Sequence, residues 1–350
     1  MIDYTNAIED ISRYLFNAQT NIGVREQHLI GSGAVTELES KIKMFYDSKF
    51  ALCVTNATNA LFFVAQSCNL HDCEVITTPL TFPGTISGLL SLNCRFHFTD
   101  LDENLNICPI SVREILKRNP KVSAIIAVDF AGTPHQMDEI RKIANEFKLI
   151  YISDAAQSLG ATINSNKASS LSDVWVTSFC PGKTLFTGEG ACIMTNSEII
   201  YNNLLLSTQH VYRQKKELGL NIVNEFSFNG RINPLAAILA NSIFEQSIKQ
   251  LKKHQNQCLK IVKHLNNMGL ISSFENDFKS TFFHFYIKPL KNIESQEIIE
   301  NLTNKYSLLK IRIPSVTLLP DLIVKKNVAS FEYKKSVVKK ISQTLEISTH

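Results

Sequence analysis

The sequence predicts an α/β fold in which a large, mostly parallel sheet is followed by a smaller α+β region. Apolar runs of strand length alternate with helical patterns from about residue 50 to about residue 200. Strands separated by helices pair in parallel and are covered by helices on both faces of the sheet. One long helical pattern, Pro234–Asn267, then ends the alternation, and its proline suits the first turn of a helix.

Each strand of the predicted sheet is a short apolar run. The runs are Ala51–Val54, Val75–Thr78, Arg95–Phe98, Ala124–Val128, Leu149–Ile152, Val174–Thr177 and Ala191–Met194. Helical patterns between them include Ala60–Cys68, Ser111–Arg118 and Met137–Phe147. Two further strand candidates, Phe282–Ile287 and Lys310–Ile313, follow the long helix. We therefore predict an N-terminal arm and large domain over residues 1–235, and a linking helix with a small domain over 236–350.

The N-terminal arm leads into a glycine pair and a helix signal. Thr36 and Glu39 have the spacing of a capping box, which predicts a helix that begins at Thr36. Gly31 and Gly33 precede it without the strand and third glycine of a dinucleotide loop, and without the Gly-Lys-Ser/Thr of a P-loop. We interpret the pair as a turn.

The bulk composition is that of a globular protein that does not bind nucleic acid. The net charge of +4 is too small to indicate a polyanion partner. The lysines of the C-terminal stretch (Lys325, Lys326, Lys334, Lys335, Lys339 and Lys340) fit the solvated face of a helix with Phe331, Val338, Ile341 and Leu345. There is no basic, apolar leader pattern at Met1 and no apolar run long enough to cross a membrane.

The chain has eight cysteines, and their arrangement bears on metals and location. None forms a CxxC pair, and no His/Cys spacing matches a zinc site, so no metal is expected. Several lie in apolar runs, where a free thiol behaves as a small hydrophobic group. A reducing compartment is the expected setting, and we predict a cytoplasmic protein.

Two polar residues at strand ends carry the main functional signal. Lys183 follows the run Val174–Thr177 within a Pro-Gly turn, where burial disfavours its charged form and makes the amine nucleophilic. Asp154 follows the run Leu149–Ile152. Open α/β sheets bind ligands at the carboxyl ends of their strands. An acid and an amine placed there suggest pyridoxal 5'-phosphate (PLP) chemistry, with the carboxylate beside the ring nitrogen. An acidic helix cap is the alternative for Asp154.

Other strand ends offer weaker signals. Thr58 lies where a strand meets a helix N-terminus, which favours a phosphate group, although most such clusters are only helix caps. Phe82 could present a flat face to a cofactor ring, or could belong to the core. Ser178 is a plausible phosphate contact. Asn229 and Arg231 stand just before the long helix, where a surface turn would look the same.

In their order and spacing these segments resemble the DegT/DnrJ/EryC1/StrS family of PLP-dependent enzymes. The resemblance runs from about Gly31 to about Ala240 and is strongest at Asp154-Ala155-Ala156-Gln157, at the block from Ser178 to Lys183, at Gly188-Glu189-Gly190 and at Asn229-x-Arg231. It implies PLP as cofactor and the large domain of fold type I. It also implies a homodimer with active sites at the subunit interface.

The resemblance implies a role for each matching residue. Lys183 would be the Schiff-base lysine, and Asp154 would pair with the pyridine nitrogen. Gln157 would contact the ring hydroxyl, and Phe82 would stack on the ring. The phosphate would be held by Thr58, Asn59 and Ser178, together with Asn229 of the other subunit. Glu189 and Arg231 would face the substrate.

The resemblance also implies an activity: transfer of an amino group, by analogy from glutamate, to a keto-sugar that is nucleotide-linked. The alternatives are an aminotransferase or non-transaminating PLP enzyme that acts on a cyclitol or another natural-product intermediate, and a PLP-binding sensor or scaffold without turnover. The family's sugar dehydratases have histidine in place of the lysine, so Lys183 argues against that branch. Ala57 replaces the family's usual glycine beside Thr58, and the C-terminal region departs from the family most.

Overall fold

The computed structural model describes residues 2–219, 223–271, 278–290, 298, 300, 310–312, 318–323, 325–331, 337, 339–341 and 344–348. The strands are β1 Phe50–Val54, β2 Glu74–Thr77, β3 Arg95–Phe98, β4 Val122–Val128, β5 Ile150–Asp154, β6 Thr162–Ile163, β7 Asn166–Lys167, β8 Val174–Ser178, β9 Ala191–Thr195, β10 Phe278–Lys279, β11 Phe285–Ile287, β12 Lys310–Arg312, β13 Val328–Phe331 and β14 Leu345–Ser348. The α-helices are α1 Thr5–Thr20, α2 Ile22–Glu26, α3 Ala34–Tyr46, α4 Ala57–Ser67, α5 Gly84–Ser91, α6 Pro109–Arg118, α7 Met137–Phe147, α8 Glu198–Thr208, α9 Val211–Leu218, α10 Pro234–Asn267 and α11 Leu319–Leu322.

The large sheet has the strand order β1-β9-β8-β5-β4-β2-β3-β13. All its neighbouring strands are parallel except at β9, which runs antiparallel to both β1 and β8. The prediction of a mostly parallel sheet is therefore confirmed. Because β1, β2, β4, β5 and β8 run in one direction, their carboxyl ends meet along one edge, where ligands of α/β proteins bind.

Helices cover both faces of this sheet, as the alternation of strands and helices predicts. Side chains of successive strand residues point to opposite faces. Leu52 and Val176 pack on the side of α4, α5 and α8, whereas Cys53 and Trp175 pack against α3 and α10. At the far end, Tyr151 belongs to the cluster covered by α6 and α7.

Helix caps place the two helices that matter most for the site. The Asn56 side chain accepts a hydrogen bond from the backbone N–H of Asn59 at 2.9 Å and so begins α4 directly after β1. The Asn233 side chain caps α10, whose first residue is Pro234 as predicted. The prediction that this helix begins at Thr36 is wrong. Helix α3 begins earlier because Gly33, at φ 63°, starts it at Ala34, and the Thr36 hydroxyl instead donates to the carbonyl of Gly31.

The C-terminal part corrects two further predictions. The lysine-rich stretch is not one helix, because Val328–Phe331 forms β13, which pairs in parallel with β3 and extends the large sheet. Lys334 and Lys335 lie outside the described residues. The strand predicted over Phe282–Ile287 is shorter, because Phe282 has a φ of 54° and breaks the extended backbone before Phe285. Strand β11 pairs with β14, which pairs with β12, in a separate three-stranded sheet.

Among the described helices, none has an apolar stretch that could cross a membrane.

Candidate functional site

The carboxyl ends of β1, β2, β4, β5 and β8 surround a cavity of about 750 Å³. We call it the strand-end cavity. Eight of the side chains singled out in the sequence line it: Thr58, Asn59, Phe82, Asp154, Gln157, Ser178, Lys183 and Glu189. The topology explains this, because parallel strands in one sheet deliver their following loops to the same edge.

Asp154 ends β5 and is held by two donors. The Thr85 hydroxyl donates to Asp154 Oδ2 at 2.7 Å, and the backbone N–H of Ala156 donates to Oδ1 at 3.1 Å. The hydroxyl oxygens of Thr81 and Thr85 lie 2.7 Å apart, so the two hydroxyl groups form a hydrogen-bonded chain that ends on the Asp154 carboxylate. Burial raises the pKa of Asp154, and the Lys183 ammonium opposes this rise. A cation placed against Asp154 would therefore stabilise the ionised form of this buried carboxyl group.

Lys183 follows β8 in a loop that folds back to β9. Its backbone N–H donates to the carbonyl of Cys180 at 3.2 Å, and Gly182 has the left-handed φ of 80° that this turn requires. The Lys183 Nζ atom lies 3.7 Å from the centroid of the Phe283 ring, a cation–π geometry. Burial lowers the pKa of Lys183, against the attraction of Asp154. A lowered pKa increases the fraction of neutral, nucleophilic amine.

The first turn of α4 forms a cradle for an anion. The first N–H groups of a helix have no partner within the helix, and the helix dipole favours negative charge there. The Thr58 hydroxyl lies at this end, and a Cβ on Gly84 would approach its oxygen to 2.5 Å, so only glycine leaves room for it. Ser178 lies across the cavity, where its hydroxyl accepts from the backbone N–H of Cys180 at 3.3 Å. The donors suit a phosphate group.

Gln157 is tied to the loop that follows β4. Its Oε1 accepts from the backbone N–H of Ala131 at 2.7 Å, and its carbonyl accepts from the Thr281 hydroxyl at 2.6 Å. Thr281 in turn donates its N–H to the carbonyl of Gly132 at 3.0 Å. These bonds join the strand-end loops of the large sheet to the segment that carries Phe283.

Three residues of that segment were missed in the sequence: Phe283, His284 and Tyr286 all line the strand-end cavity. The Tyr286 ring stacks on Phe130 with centroids 5.6 Å apart. His284 Nδ1 lies 2.9 Å from a Glu346 carboxylate oxygen. His284 and Tyr286 also line a second cavity of about 960 Å³ on their other side. Their position depends on how distant parts of the chain pack, so no local sequence signal could have found them.

A buried polar cluster supports the same edge from behind. The Asp129 carboxylate lies 2.6 Å from His135 Nδ1 and accepts hydroxyl protons from Ser158 at 2.6 Å and Ser169 at 2.7 Å. Its backbone N–H donates to the carbonyl of Asp154 at 3.1 Å. These contacts hold the pKa of the Asp129 carboxyl below its usual range despite full burial. The cluster fixes the backbone from which Asp154 projects.

The structure leaves two predicted residues outside the strand-end cavity of their own chain. Asn229 is exposed, and Arg231 pairs through its backbone with Val54 instead of lining the cavity. Phe82 lies at the cavity rim with 69% of its surface exposed. Glu189 accepts a hydrogen bond from the Cys180 thiol at 3.1 Å. In the described part of the chain, no group of three or more His, Cys, Asp or Glu side chains is arranged to hold a metal ion.

Comparison with known proteins finds a transaminase among the relatives of this chain. It is 27% identical over 285 residues to the UDP-4-amino-4,6-dideoxy-N-acetyl-beta-L-altrosamine transaminase of Campylobacter jejuni, an alignment that covers 80% of this chain and 75% of the relative.

Solved structures share its fold. An aminotransferase from Psychrobacter cryohalolentis superposes with a TM-score of 0.77 at 23% identity, over 98% of this chain and 91% of that one. An E. coli GDP-4-keto-6-deoxy-D-mannose-3-dehydratase with bound hydrated PLP gives 0.77 at 19% identity, over 100% and 96%. The predicted fold type I is confirmed. The DegT/DnrJ/EryC1/StrS aminotransferase profile matches residues 16–313. The chain therefore belongs to the DegT/DnrJ/EryC1/StrS aminotransferase family.

Proposed function

We propose that this protein is a PLP-dependent aminotransferase that delivers an amino group, taken from glutamate, to the carbonyl of a nucleotide-linked keto-sugar. The observation that carries the proposal is that Lys183 and Asp154 face one cavity from the ends of the neighbouring parallel strands β8 and β5. Family membership supports the reaction class, and the Campylobacter relative supports a nucleotide-linked sugar.

When bound, PLP supplies an electron sink that stabilises negative charge on a substrate carbon. Lys183 would hold the cofactor covalently and would then move a proton at its Nζ atom, as base and as acid. Its lowered pKa keeps part of the amine neutral and able to accept that proton. The Phe283 ring restricts the amine to one side of the cavity.

The other residues of the site would bind and orient. Asp154 would pair with the ring nitrogen, and a cation there would offset the burial that raises the carboxyl pKa. Thr58, Asn59 and Ser178 would hold the phosphate at the first turn of α4. Gln157 would face the ring hydroxyl.

On the outer side, Phe82 would stack on the cofactor ring from the cavity rim. Glu189 would reach the substrate on the side of Lys183, and Arg231 is proposed as a further substrate contact.

We further propose a homodimer in which Asn229 completes the phosphate site of the partner subunit. Asn229 lies outside the strand-end cavity of its own chain, and the same segment exposes 94% of Phe226 and 51% of Phe228. Exposed aromatic side chains at this density favour an interface. The eight free cysteines support a reducing, cytoplasmic setting. The division at residues 235 and 236 stays a prediction.

The proposal is tested first by the visible absorbance of purified protein loaded with PLP. We expect an absorbance band of lysine-bound cofactor that disappears on addition of glutamate and returns with a nucleotide-linked keto-sugar. A band that glutamate leaves unchanged would contradict glutamate as the donor. Failure to bind PLP at all would refute the assignment.

A second test reduces loaded protein with borohydride and locates the attached cofactor by mass spectrometry. The label should be on Lys183 and absent in Lys183→Ala, whereas the exposed control Lys121→Ala should be labelled like the unchanged protein. Proton transfer by a positioned group contributes about 10² to 10⁴ in rate, so Lys183→Ala should lose at least that factor. Labelling or near-normal turnover in Lys183→Ala would contradict its role.

Asp154→Asn tests the ring-nitrogen contact. The amide keeps the shape of the side chain but cannot balance a cation, so cofactor binding should persist while turnover falls by orders of magnitude. Near-normal turnover would argue against this contact.

A further inference from the structure

A third cavity, of about 370 Å³, lies between a three-stranded sheet and helix α10. The sheet has the strand order β10-β6-β7. None of the residues lining this cavity lines the strand-end cavity. We call it the lysine cavity, because Lys167, Lys252 and Lys279 line it.

Strand register brings two of these lysines to the same face. Thr162 on the central strand β6 pairs with Lys167 on one side and with Lys279 on the other. Residues directly opposite one another in a sheet point to the same face, and neighbouring strands lie about 4.8 Å apart. The backbones of Lys167 and Lys279 therefore lie roughly 10 Å from each other, one on either side of Thr162. Lys252 approaches from α10. Three separate elements thus contribute a lysine to the lining of one cavity.

In the part of the chain that the structure describes, no acid balances the charges of these three lysines. The described lining of the lysine cavity contains no Asp or Glu, and none of the three lysines forms an ion pair with another described residue. The Lys167 ammonium lies 4.0 Å from the centroid of the Phe45 ring, so it is partly withdrawn from water. That burial, together with repulsion from Lys252, lowers the Lys167 pKa.

The helix beside the cavity adds to the positive potential. Between Gln246 and Asn267, α10 has no Asp or Glu but carries five lysines, Lys249, Lys252, Lys253, Lys260 and Lys263. Converging like charges destabilise a protein unless an anion is bound between them.

We propose that the lysine cavity is a binding site for a small phosphorylated molecule, separate from the aminotransferase site. Lysines bind phosphate as point charges, and three of them match the two or more charges of a phosphate ester or diphosphate. The Thr162 hydroxyl and the Gln255 and Asn256 side chains supply neutral polar contacts. The volume lies at the small end of the range for ligand pockets, which suits a compact anion and not a polymer.

The test is calorimetric titration of the cofactor-loaded, full-length protein with inorganic pyrophosphate at low salt. Lys167→Gln and Lys279→Gln should each weaken binding at least tenfold, which is about 1.4 kcal/mol. Glutamine keeps part of the apolar stem and removes the charge. The matched control is Lys253→Gln. Lys253 lies on α10 next to Lys252 but does not line the cavity, so this variant should leave the affinity unchanged.

Equal affinity in all variants would overturn the proposal, because the probe would then bind elsewhere, for example in the strand-end cavity. An equal loss in Lys253→Gln would overturn it as well, because it would indicate only general attraction to a basic surface. Thermal unfolding gives an independent readout. Lys167→Gln and Lys279→Gln should not lower the melting temperature of the protein without pyrophosphate, but should remove the rise that pyrophosphate causes. A lower melting temperature without pyrophosphate would assign the lysines a structural role and contradict the proposal.

Discussion

The hydroxyl chain that ends on Asp154 gives the sharpest prediction. Thr85→Val keeps the shape of the side chain but removes the donor that lies 2.7 Å from Asp154 Oδ2. Asp154 then keeps only the longer bond, 3.1 Å, from the N–H of Ala156. Because only 6% of Asp154 is exposed, water can replace little of the lost donor.

The size of the effect follows from the charge on the acceptor. A hydrogen bond to a charged group contributes about 1.5–3 kcal/mol, and a neutral one about 0.5–1.5 kcal/mol. Because the lost bond is stronger to the ionised carboxylate than to the neutral carboxyl group, Thr85→Val should raise the pKa of Asp154 further beyond the rise that burial already causes. At a pH above the folded pKa of Asp154, where the carboxyl group is ionised, the free energy of unfolding should fall by about 1.5–3 kcal/mol.

The pH dependence has a definite sign. Because the folded pKa of Asp154 lies above its ordinary value of 3.8, the folded state holds this proton more tightly than the unfolded chain. Its contribution to stability is therefore most favourable below 3.8 and declines as pH rises through the folded pKa. The stability that Thr85→Val loses is largest above the folded pKa, where the lost hydrogen bond is one to a charged acceptor. In acid the loss shrinks toward that of a hydrogen bond to an uncharged carboxyl group.

Urea unfolding at a series of pH values, from about 4 to about 9, measures this directly. Thr85→Ser is the control, because it keeps the hydroxyl and loses only a methyl group. We expect Thr85→Val to lose more stability than Thr85→Ser at the high end of this pH range, and the difference between the two losses to narrow toward the acid end. Equal losses, or a difference that does not change with pH, would refute the reasoning.

Two further predictions concern strain and buried charge. Gly132 and Gly188 both have left-handed φ values, 84° and 87°, but a Cβ on Gly132 would lie 1.9 Å from the Thr281 hydroxyl whereas one on Gly188 meets nothing within 4 Å. Urea unfolding should therefore show that Gly188→Ala lowers the free energy of unfolding by about 1–2 kcal/mol and that Gly132→Ala lowers it clearly more. Equal losses in the two variants would contradict the steric argument. Arg213→Met should cost about 3–5 kcal/mol, because it leaves Glu39, 2.8 Å from the guanidinium, buried without its partner. The exposed pair of Arg13 is the control, since Arg13→Met should change stability by less than about 1 kcal/mol, and a similar loss in both would count against the burial argument.

The sequence was sufficient for the parts of the site that follow strands. Lys183 and Asp154 could be placed together because each follows a buried apolar run, and parallel strands bring such positions to one edge. The same reasoning located Thr58 and Ser178 at the cavity. Helix α10 could be bounded at both ends because proline begins it and its pattern is long and unbroken.

The rest of the site depends on contacts between distant segments. Thr85 looks like any helix residue until the fold places it against Asp154, 69 positions away in the chain. Phe283 reaches Lys183 only because Thr281 is tied to Gln157 and Gly132. The apolar spacing of the C-terminal lysine-rich stretch fits a helix, and only pairing with β3 makes Val328–Phe331 a strand.

The pairing of β13 with β3 has a consequence for how the chain is made. His97 and Ser330, joined across these strands at 2.9 Å, are 233 positions apart. During synthesis β3 therefore remains an open sheet edge until Val328–Phe331 has been made. Unpaired edges recruit other strands, so this interval is when the nascent protein is most exposed to aggregation. Truncation before Val328 should leave the same edge open permanently, so β13 protects the solubility of the protein as well as completing the large sheet.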